Sequence, residues 1–264
     1  MAKSQKELAY LMDLYVRDEW TQRFTDLADK HLDLSDSENL LYINAGTGAH
    51  ALVLDEKHGE KLDIFAACQT EDELKIAQDK AAAVSSKVDF SMIEFDDDAF
   101  DAVLADASFV EPSEIEEFVE DAVRVARVGG DVAIFLPTAG SFGEVFSLLW
   151  EVFFNEDLGD HGANAERMIN EIPTTTELDE IGKRAGLVNV RSETVTETFE
   201  FDNSKAFIES PLVETFLLPR WVETLGDDEI DRVKTSLCDL IDAEDGTMTF
   251  RFSVKATLLT GEKG

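Results

Sequence analysis

Leu40-Leu41-Tyr42-Ile43-Asn44-Ala45-Gly46-Thr47-Gly48-Ala49-His50 carries a short apolar run into a glycine-bearing turn and then into an Ala/Leu/Val stretch. It reads as a strand, a tight loop and the start of a helix. Glycines in such a loop let a ligand approach the backbone closely, and the amides at a helix N-terminus favour a carboxylate, a phosphate or a polar hydroxyl. A ligand-binding loop and an ordinary strand-to-helix turn both satisfy this stretch, so the rest of the chain must separate them.

Downstream, the same pattern returns. Lys61 to Ala67 reads as a second strand, and Thr70 with Glu73 forms a capping box ahead of a helix running to about Val84. Phe100 to Asp106 supplies a further buried strand. Ser113 and Glu116 are expected to cap a helix that carries Ile115, Phe118, Val119, Ala122 and Val123 and stops at Gly129-Gly130. Asp131 to Leu136 is the next strand. Strands alternating with helices imply a mostly parallel sheet covered on both faces, with ligands bound beyond the carboxyl ends of the strands.

Upstream, Ser4 and Glu7 make another capping box, and Leu8, Leu11, Met12, Tyr15 and Val16 recur at helical spacing. One or two amphipathic helices thus form an N-terminal helical cap over residues 1–38. Between Ser141 and Ile172 the alternation breaks. Phe142, Phe146, Trp150, Phe153 and Phe154 mark an aromatic helical stretch, followed by a polar region with Gly159, His161 and Gly162. An inserted lid over 141–172 and a homodimer contact through 142–154 both fit this pattern. His161 reads as a solvated loop histidine, with a role as a base the rival reading. Thr174 and Glu177 cap a further helix, Leu187 to Val190 resumes the sheet, and two helical regions follow. Met248 to Leu258 alternates strictly, as expected of a final antiparallel strand at or near a sheet edge.

Composition bounds the function. The chain has 264 residues, 44% of them hydrophobic, which suits one large α/β domain spanning 1–264. Its formal net charge of −34, from 57 acidic against 23 basic side chains, repels a phosphate backbone and an anionic membrane surface, so neither nucleic acid nor membrane is an expected partner. No apolar stretch resembles a signal peptide or a membrane span, and a soluble cytoplasmic location is expected. Cys68 and Cys238 have no paired spacing, and the four histidines show no ligand spacing, so no disulfide framework and no metal are predicted.

With these elements in place, the chain resembles the class I S-adenosylmethionine-dependent methyltransferases, in particular the small-molecule group often called type 11. Tyr42 to Gly48 occupies the place of that family's acid-x-Gly-x-Gly-x-Gly loop, and Phe100-Asp101-Ala102-Val103 resembles its Phe-Asp-x-Val strand. Arg124-Val125-Ala126-Arg127-Val128-Gly129-Gly130 is similar to its Arg-Val-Leu-Lys-Pro-Gly-Gly turn. The resemblance runs from about Leu40 to the final strand. It implies an α/β, Rossmann-like methyltransferase sheet of seven strands, mostly parallel with one antiparallel, and helices on both faces.

It also implies S-adenosylmethionine as cofactor. Tyr42, Asn44, Gly46, Thr47 and Gly48 would hold its methionine end, Cys68 and Gln69 the ribose side, and Asp106 would line the pocket near the reacting group. The sequence departs from the family at three of these positions. Tyr42 stands where an acid faces the cofactor's amino group, Asn44 replaces a glycine, and Cys68 replaces the acid that accepts from both ribose hydroxyls. A hydrogen bond to a charged group contributes about 1.5–3 kcal/mol, so losing two would weaken binding by roughly two to four powers of ten. The implied function is a divergent methyltransferase acting on an unidentified small molecule, with no catalytic base identified. A fold that has lost catalysis and serves as a binding or assembly module is the alternative.

Overall fold

A computed structural model of the chain describes residues 3–245 and 249–264. Met248, expected to begin the last strand, lies outside them. The chain opens with α1 (Gln5–Leu11), continues through a wider π-helical stretch (Met12–Thr21) and enters α2 (Gln22–His31). Next come β1 (Asn39–Ile43), α3 (Ala49–His58), β2 (Asp63–Ala67), α4 (Glu71–Val84), β3 (Asp89–Ser91) and β4 (Phe100–Asp106). They are followed by α5 (Ile115–Val125), β5 (Ala126–Thr138), α6 (Gly143–Asn155), α7 (Gly162–Glu171) and α8 (Thr175–Arg184). The last elements are β6 (Leu187–Phe201), α9 (Ser204–Ile208), α10 (Leu218–Trp221), α11 (Asp227–Asp245) and β7 (Phe250–Lys263). No described helix is long and apolar enough to cross a membrane.

Among the described residues, seven strands form one sheet in the order β3-β2-β1-β4-β5-β7-β6. β1 pairs in parallel with β2 and β4, β2 with β3, and β4 with β5. β7 runs antiparallel to β6: Thr194 meets Thr257 at 2.8 Å, while the Gly264 amide donates to the Gly186 carbonyl at 2.9 Å, so one residue number rises as the other falls. This is the α/β, mostly parallel sheet that the alternation implies. Its final strand lies one place in from the edge that β6 forms. Because the chain moves outward from β1 to β3 and then returns to β4, the carboxyl ends of β1 and β4 flank a switch in strand order, where open sheets leave a crevice.

Two local expectations are corrected, and one element had no signal in the sequence. Ser113 does not cap α5: Pro112 starts a 3-10 turn and Glu114 takes the N-cap position without a side-chain bond. α5 also ends at Val125 rather than at Gly129-Gly130, since Ala126 already has strand geometry and pairs with Phe100. The glycines instead lie in a shift of register, where Asp131 pairs with Ala102. Gly129 has φ +76°, and a Cβ on Gly130 would stand 2.9 Å from two carbonyl oxygens. Finally, the short strand β3 was not evident in the sequence, because a three-residue strand leaves no alternation to count.

The chain divides into two compact units. The first runs to Leu136 and takes in Thr174–Thr194 and Ala256–Gly264. Its core gathers Leu41, Val103, Val119, Val123, Ile134 and Leu259 around the sheet. The second comprises Pro137–Pro173 and Val195–Lys255. There the aromatic stretch turns mostly inward: Val145, Phe146, Leu149, Val152 and Phe153 are buried. Phe142 and Phe146 make edge contacts with Trp221, and Phe199 stacks on Phe252 with ring centres 4.9 Å apart. Phe154, by contrast, is 80% exposed.

Candidate functional site

The loop between β1 and α3 is built by backbone conformations that ordinary side chains adopt only at a cost. Asn44, Gly46 and Gly48 have φ of 56°, 54° and 79°. Asn tolerates this region because its short amide can bond locally; here Asn44 Nδ2 donates to the Asp106 carbonyl at 3.0 Å and ties the end of β1 to the end of β4. The Ala45 amide donates to the Ala67 carbonyl, and the Gly48 amide closes the turn on the Ala45 carbonyl, both at 2.9 Å. Gly48 is the N-cap of α3 and offers no side chain to its first turn. A Cβ on Gly48 would lie 2.5 Å from the Phe90 ring, whereas one on Gly46 would meet nothing within 4 Å.

Beside this loop lies a cavity of about 360 Å³, within the range of small-molecule sites, about 300–1,000 Å³. Tyr42, Asn44, Gly46, Thr47, Gln69 and Asp106 line it. Gly48 and Cys68 do not. Gly48 is packed against Phe90 and Ala77, and Cys68 is buried with its amide bonded to the Ser91 carbonyl. Burial pushes the Cys68 thiol up to about 12, so it is a neutral thiol here.

The lining also contains groups that the sequence reading did not select. Glu73, only 8% exposed, accepts from the Gln69 and Thr70 amides through Oε2 at 3.1 Å each while still facing the cavity. Its capping-box pattern accounted for it locally and hid this second position. His50 and Asp29 are likewise in the lining. The ring nitrogen Nδ1 of His50 is 3.3 Å from the Tyr42 hydroxyl, and Nε2 is 3.5 Å from Asp29 Oδ1, an ion-pair distance. The bond to His50 holds the Asp29 carboxyl below its ordinary value. Tyr42 is buried, and desolvation, with Asp106 and Asp29 adding to it, pushes its phenol well above the ordinary tyrosine value. It therefore acts as a neutral hydrogen-bonding group.

Five carboxylates line the cavity, Asp18, Asp26, Asp29, Glu73 and Asp106, against a single guanidinium, Arg17, which is already paired with Asp18 at 2.6 Å. Desolvation raises the Asp106 carboxyl to about 6, opposed by the Ser108 amide that donates to it at 2.8 Å. Such a wall favours a cation over a phosphate.

The loop that bends from β1 into α3 and all of β4 lie within the segment that a family model matches in sequence. Residues 41–134 match the methyltransferase domain family. No curated protein matches the chain by sequence. Among solved structures, YcgJ of Bacillus subtilis is 15% identical with a TM-score of 0.56, over 92% of this chain and 98% of its own. Phosphoethanolamine N-methyltransferase 2 of Haemonchus contortus, solved with phosphomonomethylethanolamine and S-adenosylhomocysteine, is 12% identical with a TM-score of 0.56, over 98% of this chain and 57% of that one. The cyclase SpnF is 20% identical with a TM-score of 0.51, over 93% of this chain and 82% of its own. At these identities the likeness establishes the methyltransferase fold and nothing finer.

Proposed function

We propose that the chain is a methyltransferase that draws on S-adenosylmethionine to methylate a small molecule. The observation that carries this reading is the cavity bounded by the Asn44–Gly48 loop, at the switch in strand order, within the segment that matches the methyltransferase domain. The residues present suit the cofactor. The first turn of α3 has no side-chain cap, leaving its amides for an amino-acid carboxylate, and the space beside Gly46 is open. Gln69 and the buried carboxylate of Glu73 offer hydrogen bonds for ribose hydroxyls on the side where Cys68 offers none. The acidic lining suits a positively charged sulfonium.

Bound there, S-adenosylmethionine supplies a methyl group already activated for transfer. What the chain must contribute is position and a dry wall, so that the acceptor meets the methyl in line. Trp20, on the π-helical stretch that bounds the cavity, and Phe24, on α2, are fully buried and pack together with ring centres 5.2 Å apart. Asp106, raised to about 6, is the lining carboxyl best suited to take up a proton from the acceptor near neutral pH.

A second reading, a binding module without catalysis, draws support from Tyr42, a neutral phenol engaged by His50 where the family carries an acid. The fold also carries other chemistry, as the cyclase SpnF illustrates. Calorimetry with S-adenosylmethionine and S-adenosylhomocysteine separates the two. Saturable heat that Gly46→Asp abolishes supports the enzyme; no heat and no thermal stabilisation at millimolar ligand removes it.

A further inference from the structure

Resting on the reading just given, we propose that Asp13 and Lys80 are positioning residues that clasp Thr47, so that ligand affinity at the loop and the docking of the N-terminal helices depend on each other. Thr47 is 4% exposed and stands in the loop directly before Gly48. Its hydroxyl donates to Asp13 Oδ1 at 2.6 Å. The Lys80 ammonium, reaching from α4, donates to the Thr47 carbonyl at 3.1 Å and to its hydroxyl oxygen at 3.2 Å, and pairs with the Asp13 carboxylate. The Asp13 and Lys80 side chains are 15% and 24% exposed. In so sheltered a place, removing either partner leaves the other charge unmatched.

The geometry assigns this closed set two effects at once. Fixing the Thr47 carbonyl fixes the peptide that enters the N-cap, and with it the direction of the first amides of α3. Fixing Asp13 also holds the π-helical stretch Met12–Thr21, from which Met12, Arg17, Asp18 and Thr21 line the cavity. A π-helical run of this kind is rare, and such turns concentrate at functional sites. Neither Asp13 nor Lys80 lines the cavity, so they act through Thr47 and the wall.

The test is calorimetry with S-adenosylhomocysteine together with hydrogen–deuterium exchange on the intact chain. In the wild type the ligand should slow exchange over residues 5–21 as well as 44–51. Lys80→Met should bind about tenfold more weakly and lose the ligand's protection of 5–21, while Lys80→Arg recovers both. Wild-type affinity in Lys80→Met, or protection of 5–21 that persists in it, would overturn the proposal. If Lys80→Met does not fold, Asp13→Asn, which keeps an oxygen for the Thr47 hydroxyl, carries the same comparison. If the wild type binds no S-adenosylhomocysteine, the methyltransferase reading fails, and the clasp is judged without ligand. Lys80→Met should then speed exchange over 5–21 and 44–51 together, and acceleration of only one of them refutes it.

Discussion

Asp106 gives the most direct handle on the site's electrostatics. It ends β4 beside the cavity with its carboxyl raised from 3.8 to about 6 by desolvation. Between about pH 4 and 6 the folded protein holds a proton there that the unfolded chain has released, so this group's contribution to stability falls as pH rises through that window and stays low above it. An elevation of roughly two pH units corresponds to about 3 kcal/mol at ~1.4 kcal/mol per unit. Partial solvent access reduces that to about 1–2 kcal/mol. Asp106→Asn removes the charge and keeps an oxygen for the Ser108 amide, which donates to Asp106 Oδ1 at 2.8 Å. The variant should therefore be more stable than the wild type by about 1–2 kcal/mol at pH 7.5, shrinking to roughly a third of that at pH 4.5. For a chain of this size that is a gain of roughly 2–4 °C in Tm at pH 7.5, read by circular dichroism. Asp26→Asn, at an exposed position in the same lining, controls for the loss of one negative charge from an acidic protein. A loss at pH 7.5 would reveal a positive partner for the Asp106 carboxylate, and equal gains at both pH values would show that its ionisation carries no cost; either refutes the account.

Gly48→Ala forces a side chain into a left-handed conformation and against the Phe90 ring; urea unfolding should register a loss of about 2–4 kcal/mol, and an unchanged midpoint would contradict the packing described. Glu73→Gln keeps the helix cap but discards the charge, so S-adenosylhomocysteine affinity should drop about tenfold or more by calorimetry, with unchanged affinity counting against Glu73 as a ligand contact. Thr174→Ala removes the hydroxyl that accepts from the Glu177 amide at 3.2 Å and should cost about 1 kcal/mol in denaturant unfolding. Thiol labelling of the native protein should reach Cys238, which is partly exposed, well before the buried Cys68; simultaneous labelling would mean that the end of β2 opens.

Much of the fold was legible because its signals are local. Ser4 with Glu7, Thr70 with Glu73 and Thr174 with Glu177 all form the capping boxes that their spacing announces, since each needs only four consecutive residues. β4, buried along nearly its whole length, reads as the continuous apolar run expected of a central parallel strand. Where a local rule had two outcomes, the sheet chose between them. The glycines at 129 and 130 look like a helix stop, yet pairing of Ala126 with Phe100 ends α5 earlier and puts those glycines in a shift of register.

By itself, then, the sequence determined the alternation of elements, the glycine loop after β1 and the acidity of the whole, because caps, periodicity and charge are properties of neighbouring residues. Only the tertiary structure decided which side chains share the cavity. It brought Glu73 in from α4 and Asp29 in from α2, turned Cys68 away, and set Asp13, Thr47 and Lys80 in contact. Contacts across 33 or 67 positions of chain, as for Lys80 with Thr47 and with Asp13, leave no spacing to count. They exist because packing helices against a twisted sheet places distant side chains side by side, and burial then makes their pairing strong.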